Sequence, residues 1–235
     1  MKRIMKLKFT ILGLLALPIF AQTPLICNGS ISGPINANVD VPAGATCVLN
    51  GPLDVHGAIT VEGALYAYGV NLYGPLSATG SDTVYLAPSQ NGLTPTTVAG
   101  DVTLKGTKWF WVTGIWGGGI NGYTKVNGNI TATDGSGEFS VTYTTVGGNL
   151  SVSGQNANLA GYPVYLYSAH VGMNATFNNN TGEGVKLLGS QIGKNLNCGG
   201  NSVVAGQGNT VGQHANGQCS SIPGLIVTPP PAPAH

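Results

Sequence analysis

Val126-Asn-Gly-Asn-Ile-Thr-Ala132 and Val146-Gly-Gly-Asn-Leu-Ser-Val152 share one pattern, apolar–x–Gly–x–apolar–x–apolar. The unit recurs around Gly33 (Ile31 to Ile35), Gly57 (Val55 to Val61), Gly74 (Leu72 to Ala78) and Gly100 (Val98 to Leu104). Two later copies, Val171 to Phe177 and Ile192 to Cys198, place Met173 and Lys194 at the central position, and a degenerate copy sits at Val211-Gly-Gln213-His214. Successive central residues are 17 to 28 apart, with a mean of 22.5. A period in the twenties marks a solenoid, in which each repeat buries its apolar face only against its neighbours. Inside the unit the alternation has period two, which specifies strands. A second apolar position precedes the unit by five residues in three copies: Val141 before Val146, Leu166 before Val171 and Leu187 before Ile192.

Each coil therefore holds two or three short strands, and equivalent strands of successive coils pair in parallel at about 4.8 Å. The expected fold is all-β: a single-stranded, right-handed parallel β-helix of about nine coils, roughly 40–45 Å long. A β-sandwich, with its many short strands and Gly-rich turns, is the competing fold. The residue after the central position is Asn129, Asn149, Asn174 and Asn195 in four successive coils. Stacked at one bend, these amides predict an internal hydrogen-bonded ladder, although Gly-Asn is also ordinary turn chemistry.

Composition agrees with this and narrows the function. The 235 residues include 37 Gly but only 7% charged residues, against about 25% charged in ordinary domains. Met1 to Ala21, with Lys2, Arg3, Lys6 and Lys8 ahead of an apolar stretch, reads as a secretory signal peptide. Residues 22–227 form the expected β-helix domain and 228–235 a Pro-rich flexible tail, with no transmembrane segment in the mature chain. The mature chain would hold five Lys, no Arg and eight acids, a formal charge of −3 that argues against nucleic acid. Cys27, Cys47, Cys198 and Cys219 are an even set in an exported chain. Three pairings exist; sequence position favours Cys27–Cys47 and Cys198–Cys219, one closing each end. Zinc is the rival use of four cysteines, but no Cys-x-x-Cys spacing occurs.

The opening segment CNGSISGPINANVDVPAGATCVLNG (27–51) and the closing segment NLNCGGNSVVAGQGNTVGQHANGQC (195–219) resemble those of a group of uncharacterised exported bacterial repeat proteins. That resemblance implies export and a right-handed parallel β-helix of the pectate-lyase-like superfold. It implies no activity, because sharing a superfold does not transfer chemistry.

The eight acids scatter through the repeat frame, with none exactly one coil from another, whereas a glycosidase needs carboxylates close together. The lyases of the superfold resemble one another in using a catalytic Arg or Lys beside calcium, and Arg is lost with the leader. Asp134-Gly-Ser-Gly-Glu138 offers oxygen ligands to calcium but reads more simply as a turn. Gly117 to Gly122 formally matches a dinucleotide fingerprint without the helix that must follow it. His56, His170, His214 and His235 show no metal spacing. Thr60, Thr103, Thr131 and Thr176 recur just after the unit's centre, but Ser77, Ser151 and Asn197 interrupt the regular Thr grid an ice-binding face needs. No cofactor, metal or catalytic residue is expected.

Aromatic residues are the exception to this blandness. Trp109, Trp111 and Trp116 fall within eight residues, with Phe110 and Tyr123 near them. Tyr66 and Tyr68 lie 8 and 6 residues before Gly74, and Tyr165 and Tyr167 lie 8 and 6 before Met173. Equal offsets mean equal places on the coil, and strand parity points these tyrosines outward. They are either good cross-strand packing or a platform for sugar rings or another apolar surface. The sequence therefore predicts a secreted, cell-surface or periplasmic rod without catalysis. An adhesin or envelope scaffold would bind glycan or protein through its aromatic face; the alternative is a polysaccharide-active lyase or hydrolase.

Overall fold

A computed structural model describes residues 23–89, 91, 94–115, 122–156 and 164–228. The expected signal peptide, Trp116, the Gly117–Gly119 run and the tail beyond Thr228 lie outside the described residues. The chain is a parallel β-helix: every strand pairing is parallel, and each coil contributes to three files of strands.

The first file is a ten-stranded sheet running from Leu25–Ile26 to Ala215–Gly217. It places Ile130, Leu150, Ala175 and Leu196 directly over one another. The second file runs from Gly29–Ile31 through Trp109–Thr113, Phe139–Thr142 and Val164–Tyr167 to Val204–Gln207. The third carries Val55, Leu72, Val98, Val126, Val146, Val171, Ile192 and Val211 in one buried column. The long strands Thr46–Val55 and Ala64–Leu72 run around the corner between the second and third files and join both into one 16-stranded sheet. Nine spacings between ten rungs give a rod of about 43 Å.

Parity builds the core. Alternate residues of all three files point inward and are fully buried, including Leu49, Leu65, Leu76, Leu86, Leu104 and Phe177. Phe110 and Phe139 stack inside, with ring centroids 5.0 Å apart. No chain segment needs to reach across the rod, because each coil's apolar residues meet those of the coils above and below.

One repeat differs from its sequence reading. Ile31 belongs to the second file, opposite Leu49, while Ile35 pairs with Val55 in the third. The true first unit is therefore Ile35-Asn-Ala-Asn-Val-Asp-Val41, centred on Ala37 and not Gly33. Pro34 and Gly33 imitate the repeat but form the corner before it. Leu25–Ile26 adds a rung ahead of this unit.

Glycine fills the centre of many units for a steric reason. A Cβ on Gly74 would run into the Gly57 carbonyl of the preceding coil, and one on Gly128 into the Gly100 carbonyl. In later coils the close approach moves one residue earlier, so Gly172, Gly193 and Gly212 each sit against the carbonyl of the glycine one coil before. Met173 and Lys194 are tolerated at the centre for that reason.

The three corners carry hydrogen-bonded polar columns. The predicted ladder is present: Asn149 Nδ2 donates to Asn129 Oδ1 (3.1 Å), Asn174 to Asn149 (2.9 Å) and Asn195 to Asn174 (3.0 Å). Each backbone N–H also donates to the amide oxygen below, and Asp101 Oδ1 ends the column by accepting from Asn129. The ladder is half-buried and not internal. The interior one occupies the corner between the first and second files, where Gln155, Asn180 and Asn201 are at most 6% exposed. Asn180 Nδ2 donates to Asn201 Oδ1 (2.9 Å), and Asn180 Oδ1 accepts from the Gln155 N–H (3.0 Å). Just before this column the chain takes positive φ at Gly80, Gly106, Asp134, Gly154, Asn179 and Gly200. Gly, Asn and Asp are the residues that adopt that conformation at low cost. Thr144, Ser190 and Asn209 line the remaining corner, bonding to nearby carbonyls.

Disulfides close both ends. Cys27–Cys47 (Cα–Cα 5.3 Å) ties the first rung to the next coil, and Cys198–Cys219 (5.2 Å) fixes the short 3-10 helix Gln218–Ser221 under the last coils. Disulfides of this kind belong to oxidising, non-cytoplasmic compartments. Among the described residues no helix is long and apolar enough to cross a membrane.

Candidate functional site: an aromatic face with a hydroxyl floor

The outward residues of the second file form two adjacent columns. The first reads Val48, Tyr66, Tyr85, Trp111, Ser140, Tyr165, Lys186, one residue per coil. The second contains Tyr68 toward the N-terminal end and Thr113, Thr142 and Tyr167 in register farther on. The structure thus brings together the predicted Tyr66, Tyr68, Tyr165, Tyr167 and Trp111 on one face. Trp109, two residues along the same strand, stacks on Trp111 with centroids 5.4 Å apart and planes 12° from parallel.

Tyr85 and Tyr143 are members that the sequence reading missed. Tyr85 meets Trp111 edge-on at 6.1 Å, and also contacts Tyr66 and Tyr68. It lies 11 residues after Gly74, as Trp111 lies 11 after Gly100. Counting forward from the repeat centre finds both; counting back fails because the loop after Ala87 lengthens that coil. Tyr143 takes φ +47 at the corner and meets Tyr167 (5.1 Å) and Tyr123 (6.0 Å), both edge-on.

Serine interrupts the aromatic column at one rung. Ser140 lies between Trp111 and Tyr165, with Thr142 beside it and Thr113 one rung before. Reaching this rung is a trough of about 520 Å³, walled by Tyr66, Tyr68, Tyr85 and Trp111 and floored by the three hydroxyl residues, with Tyr165 outside its lining. Its volume falls within the roughly 300–1,000 Å³ of small-molecule sites. Thr142 donates to Thr113 Oγ1 at 3.0 Å.

The site is electrically quiet. Burial pushes the Tyr68, Tyr85 and Tyr165 hydroxyls above their ordinary value, with neighbouring tyrosines adding to the effect at Tyr68 and Tyr165. Desolvation first, then the Tyr167 hydroxyl beside it, pushes Tyr143 up to about 12. These phenols therefore stay protonated and can donate. Lys108 pairs with Asp82 (3.5 Å) at the edge of the face and lies 5.8 Å from the Trp109 ring centre.

The polar candidates are placed elsewhere. Asp54 accepts from Asn71 Nδ2 (2.8 Å), and Asp101 is part of the amide ladder. Asp134 to Glu138 form a corner. His56 stacks on Tyr73 at 4.6 Å. Thr60, Ser77, Thr103, Thr131, Ser151 and Thr176 make an unbroken outward column on the first sheet. Among the described residues no three His, Cys, Asp or Glu side chains converge as a metal site would need. Comparison with family models, with curated proteins and with solved structures finds no match.

Proposed function

We propose that the chain is an exported, non-catalytic interaction rod, an adhesin or envelope scaffold, whose aromatic face binds glycan. The observation that carries this is the trough itself: outward Tyr and Trp rings beside hydroxyl groups, with no charged lining side chain. Sugar rings present apolar C–H faces bordered by hydroxyls, so aromatic walls with hydroxyl donors match both parts of them. A protein partner would find the same apolar rings, but the hydroxyl groups set beside them favour a ligand that is itself rich in hydroxyls. Export is supported by the two disulfides, the leader-like first 21 residues and the resemblance to exported repeat proteins.

Cleavage is not part of the proposal. Glycoside hydrolysis works through two carboxyl groups flanking the bond. None of the residues lining the trough is an acid.

Affinity electrophoresis through gels containing soluble polysaccharides tests the proposal. Retardation of the mature protein by at least one glycan is expected, with a loss of tenfold or more in Trp111→Ala, which is about 1.4 kcal/mol of binding. Retardation by none, or equal retardation of Trp111→Ala, would overturn it. Release of reducing or unsaturated sugar ends by the purified protein would revive the enzyme alternative.

A further inference from the structure

We infer that the one-rung gap at Ser140 is a subsite for a single uncharged pyranose ring, held between Trp111 and Tyr165. This deepens the glycan reading of the face and rests on it. Trp111 and Tyr165 stand two rungs apart in one outward column, a backbone separation of about 9.6 Å. Stacked rings sit about 4.5–5 Å from their partners, so one intervening ring fills that separation. Elsewhere the column fills itself: Tyr66, Tyr85 and Trp111 occupy consecutive rungs and touch edge-on or tilted. Only at Ser140 is a place left in an otherwise aromatic run from Tyr66 to Tyr165.

Ser140 adds an independent indication. The residue is 5% exposed, yet it lines the trough on the Trp111 side, and its hydroxyl is not sealed from solvent. No hydrogen bond to a described residue reaches that hydroxyl, whereas Thr142 donates to Thr113, which in turn donates to the Gly114 carbonyl (3.2 Å). That hydroxyl therefore meets solvent alone and is free to bond to a ligand in place of water. A sugar hydroxyl lying in the gap would take that place.

Charge selects among sugars. The lining is neutral throughout, and Lys108 at the edge is already paired with Asp82. Lys186 is one rung beyond Tyr165, on the far side of the wall. A uronate in the gap would be desolvated without a cation to meet it, which is costly. Neutral hexose polymers carry no such penalty.

Ser140→Tyr tests the inference, because it completes the column without removing any aromatic ring. Mature parent, Ser140→Tyr, Ser140→Ala and Trp111→Ala are compared on a neutral β-glucan, a neutral mannan and polygalacturonate, at low and high salt. Expected are salt-insensitive binding of a neutral polymer by the parent, a loss of tenfold or more in Ser140→Tyr, and about threefold or more in Ser140→Ala. Unchanged binding by Ser140→Tyr together with loss in Trp111→Ala would overturn the subsite while leaving the aromatic face as the binding surface. Preference for polygalacturonate would do the same. Absence of binding by the parent to every polymer would overturn both. If Ser140→Tyr does not fold by circular dichroism, Ser140→Ala decides, and unchanged affinity there refutes the subsite.

Discussion

Replacing Asn180 with Ala removes the centre of the interior amide ladder. Three hydrogen bonds go with it: Gln155 N–H to Oδ1 (3.0 Å), Nδ2 to Asn201 Oδ1 (2.9 Å) and Nδ2 to the Val152 carbonyl (3.2 Å). Asn180 is fully buried and Gln155 is 4% exposed, so the abandoned Gln155 N–H has no water to turn to. An orphaned buried donor costs about 1–3 kcal/mol and each lost bond about 0.5–1.5 kcal/mol. A total near 3–4 kcal/mol follows, which lowers Tm by roughly 10 °C for a chain of this size. Asn149→Ala in the corner ladder also removes three bonds, to Asn129 Oδ1 and from the Asn174 N–H and Nδ2. That ladder is half-buried, and water can replace the lost partners. Its cost should be about 1 kcal/mol, or roughly 3 °C. Thermal unfolding with disulfides intact measures both. Equal losses would refute the argument that burial, not bond count, sets the value of these amides.

Two further outcomes follow from single residues. Tyr143 has its pKa raised from 10.0 to about 12, so the fold favours the neutral phenol. Its contribution to stability is complete below pH 10 and is lost as pH rises through about 12. The melting temperature should fall over that range, and fall less steeply in Tyr143→Phe; identical pH profiles would count against it. Gly74→Ala forces a methyl group against the Gly57 carbonyl and should cost about 1–3 kcal/mol by urea unfolding, a neutral result contradicting the close approach of the coils there.

Much of the fold could be read from the chain, because period-two alternation and a recurring centre leave few alternatives to stacked strands. The first unit is hard to place from sequence, since Gly33, followed by Pro34, produces the same spacing as a true centre while serving a corner. The interior ladder was legible in principle. Ser81, Thr107, Gln155, Asn180 and Asn201 all lie seven residues after a repeat centre. Different side chains fill one structural role there, so identity hides what position reveals. For the site, equal offsets correctly grouped Tyr66 with Tyr165 and Tyr68 with Tyr167. They could not show the gap, since the corner from Asp134 to Glu138 displaces Ser140 by one residue from the frame of Trp111. Which outward residue sits between two walls depends on register across coils, and insertions at corners alter the count without altering the stacking.

Nuclear magnetic resonance of the indole N–H groups during titration with a neutral oligosaccharide tests the central claim most directly. Each signal is assigned by a single Trp→Phe variant. Saturable movement of the Trp111 resonance, abolished in Ser140→Tyr, is the predicted result. A Trp111 resonance unmoved by an oligosaccharide that the protein demonstrably binds would contradict the account.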